Sequence, residues 1–334
     1  IDLNDQVFPE LQKQWFEQIS VTSHTIDVDS TVIQRYGVQE GAEVGFNPQR
    51  RGGRSHHPLM AFSEEASMVV NAWQRDSNTS DKSDACHFLE ETLDILGRSG
   101  VGLVRMDAGF YSRHIMSFLE GDGEGTEPVD YIVRAHMTKR VYNAISEVTN
   151  WYSSNKVSKH AAYAEIAFKG ASWEKERRMV IVRTPKKGVC FRQRKLFASE
   201  EMLATHNFRA FVTTLKLSPT KIHQLYNQRG DCENKIKELK YDFSIDGFAL
   251  KSFAAMEAAF RLVMVAYNIM SLFKQKAMQV SGSKRLSTVK FQCIAIGSYL
   301  VTSGRKKVFK LSTEGKRRHF LEHIFDNLEH LKPP

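Results

Sequence analysis

Cysteine and proline are both scarce in this sequence. Its 334 residues include eight prolines and four cysteines, Cys86, Cys190, Cys232 and Cys293. The cysteines form no C-x-x-C pair and have no regular spacing, which excludes a disulfide framework and a zinc ribbon and indicates a reducing compartment. The glycine-rich nucleotide-binding motifs and the G-x-S-x-G motif of serine hydrolases are also missing. What remains is a folded protein of one large domain or two ordinary ones.

Long uninterrupted apolar runs are missing as well. The sequence begins Ile-Asp-Leu, without a basic and apolar leader, so we expect neither a signal peptide nor a transit peptide. The longest apolar stretch, 252–273, contains Glu257, Arg261 and Asn268, which are costly in lipid. We therefore predict a buried core helix here and expect no membrane partner.

Positive charge is present in excess and is concentrated in one segment. The chain carries 47 Lys and Arg against 38 Asp and Glu, a net charge of +9. Residues 156–195 contain twelve basic and three acidic side chains, so this segment alone equals the excess of the whole chain. Such a patch attracts a polyanion, although a solvated lysine-rich face is the alternative. The candidate contacts from this segment are Arg177, Arg178, Lys186 and Lys187.

The order of predicted elements favours an α/β fold. Apolar alternation and apolar runs predict strands at 25–33, 57–63, 67–75, 101–107 and 131–135, and helical spacing predicts helices at 83–96 and 111–120. Strands followed by alternating helices and strands indicate a mixed sheet flanked by helices. We predict a first core part at 1–136, a β-rich basic insertion subdomain at 137–215, and a second core part with the C-terminal region at 216–334.

Two acidic residues interrupt apolar strands. Asp29 lies in the first predicted strand, with Asp27 on the same face, and Asp107 ends the strand at 101–107. A buried carboxylate is unfavourable without a cation, a hydrogen-bond network or a charge partner. These positions are therefore candidates for a metal site.

A polar stripe follows one face of a helix predicted over 219–240. At about 100° per residue, Tyr226, Arg229, Glu233 and Lys240 fall within roughly 60°, and Lys237 extends the stripe slightly. A carboxylate among Arg, Lys and Tyr suits a place that holds both a metal ion and phosphate oxygens. A solvated face with an Arg–Glu ion pair is the plain alternative.

Three carboxylates from two strands and a helix are able to bind two divalent ions. In such a site one ion activates water or a 3′-hydroxyl and the other stabilises the leaving oxygen. Because the ligands are all hard oxygens, Mg²⁺ is favoured, with Mn²⁺ as a substitute.

The stripe carries a family resemblance. The segment Leu225–Lys240 has the spacing Tyr-x2-Arg-x3-Glu-x6-Lys and resembles the signature of a group of DDE-type transposases from bacterial insertion sequences. The segments 26–31, 45–48, 55–59 and 104–110 look similar to the same family, so the resemblance covers about residues 20–325. It implies an RNase H-like core with a β-rich insertion before the helix that bears the glutamate.

The resemblance also implies roles for individual residues. Asp29, Asp107 and Glu233 would be the catalytic and metal-binding carboxylates, with Asp27 as the alternative to Asp29. The residues implied to hold DNA near the scissile phosphate are Tyr226, Arg229, Lys237 and Lys240.

The implied activity is cut-and-paste transposition of an insertion sequence. Its partners would be double-stranded DNA, as transposon ends and target, and a second copy of the chain in a homodimeric synaptic complex. Its location would be the bacterial cytoplasm, at the nucleoid. Only 28 residues precede Asp29, where the family normally carries an end-recognition region, so the resemblance predicts an N-terminal truncation. The alternatives are an RNase H-like nuclease or resolvase without strand transfer, and an inactive DNA-binding remnant.

Overall fold

A nine-stranded sheet with helices on both faces forms the centre of the protein. The computed structural model describes residues 3–45, 47, 50–78, 84–121, 127–186, 203–279 and 284–331. The strands are β1 His24–Ser30, β2 Ile33–Gln34, β3 Glu43–Val44, β4 Arg54–His56, β5 Leu59–Ser63, β6 Met68–Trp73, β7 Val101–Met106, β8 Tyr131–Arg134, β9 Tyr152–Ser154, β10 Ala161–Phe168, β11 Arg177–Pro185, β12 His206–Thr213, β13 Ser298–Ser303 and β14 Lys306–Leu311. The α-helices are α1 Phe8–Glu17, α2 Ala85–Leu96, α3 Arg113–Leu119, α4 Lys139–Ser146, α5 Pro219–Gln228, α6 Gly230–Tyr241, α7 Phe253–Leu272, α8 Leu286–Val289 and α9 Gly315–His330.

The large sheet has the strand order β6-β5-β1-β7-β8-β12-β11-β10-β9. Strands β6, β5 and β1 are antiparallel, and β1, β7 and β8 are parallel to one another. Helix α2 lies in the chain between β6 and β7, and α3 lies between β7 and β8. The predicted α/β class, with a mixed sheet flanked by helices, is confirmed. We assign the predicted RNase H-like core to the first five strands of this order, β6-β5-β1-β7-β8.

The strands of the segment 137–215 continue this sheet. Strand β12 pairs antiparallel with β8, opposing Phe211 to Arg134, and β11, β10 and β9 follow outward in turn. The β-rich character predicted for 137–215 corresponds to β9, β10, β11 and β12. The domain boundaries at 136 and 215 stay a prediction.

Strand β1 presents different side chains to the two faces of the sheet. Ile26 and Val28 are fully buried in a core shared with α2 and α3. Asp27 and Asp29 alternate with them and point to the opposite face. There, residues of α6 and α7 pack on Met60 and Phe62 of the neighbouring strand β5. The two acids therefore lie on the face that α6 covers.

The prediction of a single helix over 219–240 is wrong, because the chain forms two helices here, α5 and α6. They meet at Arg229, whose backbone is helical (φ −54°, ψ −21°) but whose turn is tightened. The Arg229 N–H donates to the Tyr226 carbonyl and the Cys232 N–H donates to the Arg229 carbonyl, both three residues back. This short-pitch turn interrupts the α-helical hydrogen-bond pattern. The guanidinium group of Arg229 is turned toward β1 at this point.

The predicted apolar helix corresponds to α7. By length and hydropathy the segment Phe253–Ala277 is able to cross a membrane. Here, however, Met264 and Tyr267 pack in the core formed with β5, β6 and α6. The Asn268 side chain accepts from the Val69 N–H and donates to the Val69 carbonyl, both at 2.8 Å. The helix is thereby joined to strand β6 through a buried polar contact.

Candidate active site

Two acidic side chains meet where β1 and β7 end. The parallel register opposes Asp27 to Arg105 and Val28 to Met106, which places Asp29 beside Asp107 at the same edge of the sheet. The Asp29 side chain is only 14% exposed. Burial raises the pKa of Asp29 to about 6; the charge of Arg229 opposes this shift and the charge of Asp107 adds to it.

Each acid has one oxygen engaged by the protein. Asp29 Oδ1 accepts from Arg229 Nη2 at 3.0 Å and from the Ser30 N–H at 2.9 Å. Asp107 Oδ1 accepts from the Gly109 N–H at 2.8 Å, which caps a short helical turn. In the part of the chain that the structure describes, neither Oδ2 has a hydrogen-bond partner. Two adjacent carboxylates with a free oxygen each fit a hard divalent cation.

Asp27 is neutralised by an arginine. Arg105 Nε lies 2.7 Å from Asp27 Oδ1 and Nη2 lies 2.8 Å from Oδ2, with both residues almost fully buried. Arg105 also contacts Glu64 Oε2 at 2.7 Å and donates to the Leu225 carbonyl at 2.8 Å. Because both oxygens of Asp27 are bonded, the geometry favours Asp29 as the first ligand.

Arg105 was not among the site residues predicted from the sequence. It lies two residues before Asp107 in the same apolar strand and is fully buried. The signal that singled out Asp107, a charge within an apolar run, applies equally to Arg105. Pairing the two charges of opposite sign on neighbouring strands would have identified Asp27 as its partner.

Three members of the polar stripe reach toward the sheet. Arg229 Nη2 donates to the Val28 carbonyl at 3.0 Å, and its Nε is buried without a hydrogen-bond partner among the described residues. Although burial opposes its charge, Asp29 raises the pKa of Arg229 above the ordinary value. Lys240 Nζ donates to the Val32 carbonyl at 3.0 Å, and burial lowers its pKa. The Tyr226 ring lies 4.6 Å from that of Phe211.

The other two members of the stripe face outward. Glu233 and Lys237 are exposed on α6. Glu233 lies one helical turn beyond Arg229 and has no hydrogen bond or ion pair within the described ranges. Among the residues that the structure describes, no group of three His, Cys, Asp or Glu is close enough to hold one metal ion. The structure thus brings Asp29 and Asp107 together and leaves Glu233 apart from them.

The predicted contacts from the insertion are largely engaged within the protein. The Arg177 guanidinium, only 5% exposed, binds both carboxylate oxygens of Glu120 at 2.7 Å. Arg178 contacts Glu165 and donates to the Leu217 carbonyl at 2.7 Å. Lys186 Nζ donates to two backbone carbonyls, at 3.1 and 3.0 Å. Lys187 lies outside the described residues.

Among the comparisons with known proteins, one family model covers nearly the whole chain. A family model described as "Transposase DDE domain group 1" matches residues 4–333. A search of curated proteins finds no match. A solved piggyBac transposase synaptic complex with hairpin DNA aligns with 99% of this chain and 61% of its own, at 12% identity and a TM-score of 0.44. A Mos1 transposase paired-end complex with the left transposon end aligns with 41% of this chain and 43% of its own, at 14% identity and a TM-score of 0.24. This chain therefore spans about three fifths of the piggyBac chain that it matches.

Proposed function

The chain belongs to the transposase DDE domain group 1 family, and from this premise we propose that it performs cut-and-paste transposition of an insertion sequence. In this reaction the enzyme nicks DNA at the element end, and the freed 3′-hydroxyl then attacks target DNA. The observation that supports the proposal is the pairing of Asp29 and Asp107 at the ends of two parallel strands. A pair of half-buried acids of like charge is a costly arrangement that a divalent cation relieves.

Proteins of this family generally use divalent metal ions. We assign Asp29 and Asp107 as the first two ligands, since each has a free oxygen on the same side of the sheet. We assign Glu233 as the third, which requires the first turn of α6 to approach the pair. Two Mg²⁺ ions, or Mn²⁺ in their place, would supply a polarised nucleophile and charge stabilisation of the leaving oxygen.

The cations of the stripe would bind the DNA backbone beside these acids. Arg229 and Lys240 are anchored to carbonyl groups of the segment 28–32, so their positive charge lies close to Asp29. The Tyr226 ring packs against Phe211 of β12. Lys237 is exposed and is available for contact with a phosphate. Fixed positive charge near the reacting phosphate offsets the charge that develops in the transition state. The partners proposed are duplex DNA and a second copy of the chain, in the bacterial cytoplasm.

The test is a cleavage and joining assay on duplex DNA that carries the inverted repeats flanking the gene. With Mg²⁺ we expect both nicked and joined products. Asp29→Asn, Asp107→Asn and Glu233→Gln should each lower cleavage at least about 1,000-fold, because each removes a metal ligand. Binding of the same duplex should be retained. Asp231→Asn removes an exposed carboxylate two residues from Glu233 and serves as the matched control with unchanged activity.

The other outcomes separate the alternatives. Cleavage without joined product would favour a nuclease or resolvase. Binding without cleavage in either metal would favour an inactive remnant. A Glu233→Gln protein that cleaves as well as the Asp231→Asn control would contradict the role given to Glu233.

A further inference from the structure

A groove lies between α5 and the outer strands of the large sheet. It consists of two adjoining cavities of about 730 Å³ each, which share Val157 and Asn227 in their walls. The segment 156–160, the ends of β11 and β12, and one side of α5 form its sides. We call this surface the basic groove and define it by its cations Lys156, Lys159, Lys186, Arg209 and Lys221.

The charge of the basic groove is of one sign. No aspartate or glutamate lines either cavity in the described part of the chain. Four of its cations are exposed and have no ion-pair partner among the described residues, namely Lys156, Lys159, Arg209 and Lys221. Arg177 and Arg178, by contrast, are bonded to Glu120 and Glu165. The positive charge of the insertion is therefore uncompensated at the groove.

The register of β11 and β12 explains why a groove forms beside α5. On the face beneath the helix, the opposed pairs along these strands are Val180 with Phe211, Val182 with Arg209, and Thr184 with Asn207. The first pair is apolar and packs with Ile222 of α5. Along the strands this face then becomes polar and charged, so the apolar packing ends and a cavity opens.

One buried side chain in the wall of the groove lacks a partner. His223 of α5 is 1% exposed, and its Nδ1 lies 3.1 Å from the Tyr163 hydroxyl. Its Nε2 has no hydrogen-bond partner within the described residues. Burial and the charge of Arg209 lower the pKa of His223 to about 4, so the ring is neutral at pH 7. When the Tyr163 hydroxyl donates to Nδ1, Nε2 carries a hydrogen and is able to donate to an anion.

One end of the basic groove lies beside the residue that contacts Asp29. Gln228, the last residue of α5, lines the second cavity, and the next residue, Arg229, contacts Asp29. Ten residues of α-helix are about 15 Å long. A linear polyanion lying along α5 would therefore meet successive cations and then reach the acids.

We propose that the basic groove binds the phosphate backbone of duplex DNA that leads away from the scissile position at Asp29 and Asp107. The assignment rests on the proposed function, since it takes the DNA to be the substrate of that site. The cations neutralise successive phosphates along the backbone.

The experiment removes groove charge without disturbing buried residues. The variant combines Lys159→Gln, Arg209→Gln and Lys221→Gln, and binding to a duplex carrying the element end is measured over a range of salt concentrations. We expect binding to weaken about 10- to 100-fold at low salt and the slope of log K against log salt to become shallower by about 2.7, because each lost phosphate contact contributes about 0.9.

A matched control removes the same charge elsewhere. Lys13, Lys276 and Lys290 are exposed and line neither cavity, and their combined change to Gln lowers the net charge equally. This control should keep the wild-type slope. Equal slopes for the groove variant and the control, in a protein that cleaves DNA, would overturn the groove assignment and leave the proposed function intact.

Two further results would indicate that the proposed function fails or that the groove binds a free anion. If the wild-type protein neither binds nor cleaves the duplex, the proposed function fails, and the groove assignment fails with it. Inorganic phosphate at millimolar concentration and constant ionic strength should not displace the duplex, since a single phosphate meets few of the cations at once. Displacement from the wild type but not from the groove variant would instead indicate a site for a free anion.

Discussion

The acidic site on β1 and β7 and the basic groove on the outer strands use charge in opposite ways. At the acidic site Asp27 is paired with Arg105 and Asp29 with Arg229, and all four side chains are largely buried. At the groove the exposed cations have no acidic partner within the described ranges. The ion pairs of the first region therefore contribute to the fold and hold Asp29 in place, whereas the charges of the second region are available to a ligand.

Burial accounts for the difference. A buried charge that loses its partner is strongly destabilising, because the remaining charge is neither solvated nor paired. An exposed lysine has no such requirement, since water solvates it. Substitutions in the buried pair of Asp27 and Arg105 should therefore affect folding, whereas substitutions in the basic groove should affect binding.

The largest effect on stability is expected from Arg105→Leu. It leaves Asp27 buried without its partner and removes the donor to the Leu225 carbonyl, so the free energy of unfolding should fall by about 3 to 5 kcal/mol. Urea denaturation followed by circular dichroism measures this. Adding Asp27→Leu to the same protein should recover part of the loss. A loss below about 1 kcal/mol would show that the pair is not buried as described.

A smaller effect, seen as a difference in pH dependence, is expected from Asp29→Asn in metal-free protein. The pKa of Asp29 is about 6 in the folded protein, against about 3.8 for an unperturbed aspartate. The folded state therefore binds more protons between these values, and the stability of the wild type falls as the pH rises through this window. From pH 4 to pH 8 the wild type should lose up to about 3 kcal/mol of stability relative to the variant, in addition to the constant cost that the variant has from leaving Arg229 without its partner.

The pH dependence provides the control for this prediction. Below about pH 4 the carboxyl group is protonated in both states, and the stability difference between the two proteins should no longer change with pH. Thermal unfolding in the presence of a chelator, at pH values from 4 to 8, measures the difference. A stability difference that stays the same from pH 4 to pH 8 would contradict a raised pKa for Asp29.

The smallest effect on stability is expected from the groove variant Lys159→Gln, Arg209→Gln, Lys221→Gln. Because these side chains are exposed and unpaired, the free energy of unfolding should change by less than about 0.5 kcal/mol per substitution. Its DNA binding should nevertheless respond strongly to salt. A large loss of stability would show that the groove charges, like those of the acidic site, are part of the fold.

Local patterns in the sequence predicted much of the sheet, including the two strands that carry Asp29 and precede Asp107. Alternation indicated β1 and the apolar run indicated β7, and parallel pairing of the two then placed Asp29 beside Asp107. The break at Arg229 could not be predicted from spacing alone, since both flanking segments have helical patterns. It is a tertiary effect, in which the guanidinium group is bonded to Asp29 and to the Val28 carbonyl. Glu233, one helical turn beyond Arg229, is exposed.

The basic groove was beyond the reach of local patterns. Lys156, Lys159 and Lys186 were recognised as parts of one basic segment, but Arg209 and Lys221 lie outside it in sequence. They come together only because β12 pairs with β11 and because Ile222 of α5 packs on Val180 of β11 and Phe211 of β12. Charge density along the chain also gave equal weight to Arg177, whose partner Glu120 lies 57 residues away.

The hydrogen bonds between β8 and β12 have a consequence for the distance between the DNA phosphates bound in the groove and the position of the cut. Through them the strands bordering the groove and the strand preceding Asp107 belong to one uninterrupted sheet. The spacing from the groove to the acids is then set by the protein backbone. Cuts should consequently fall at a constant number of nucleotides from the phosphates that Arg209 and Lys221 contact, whatever base sequence lies between them.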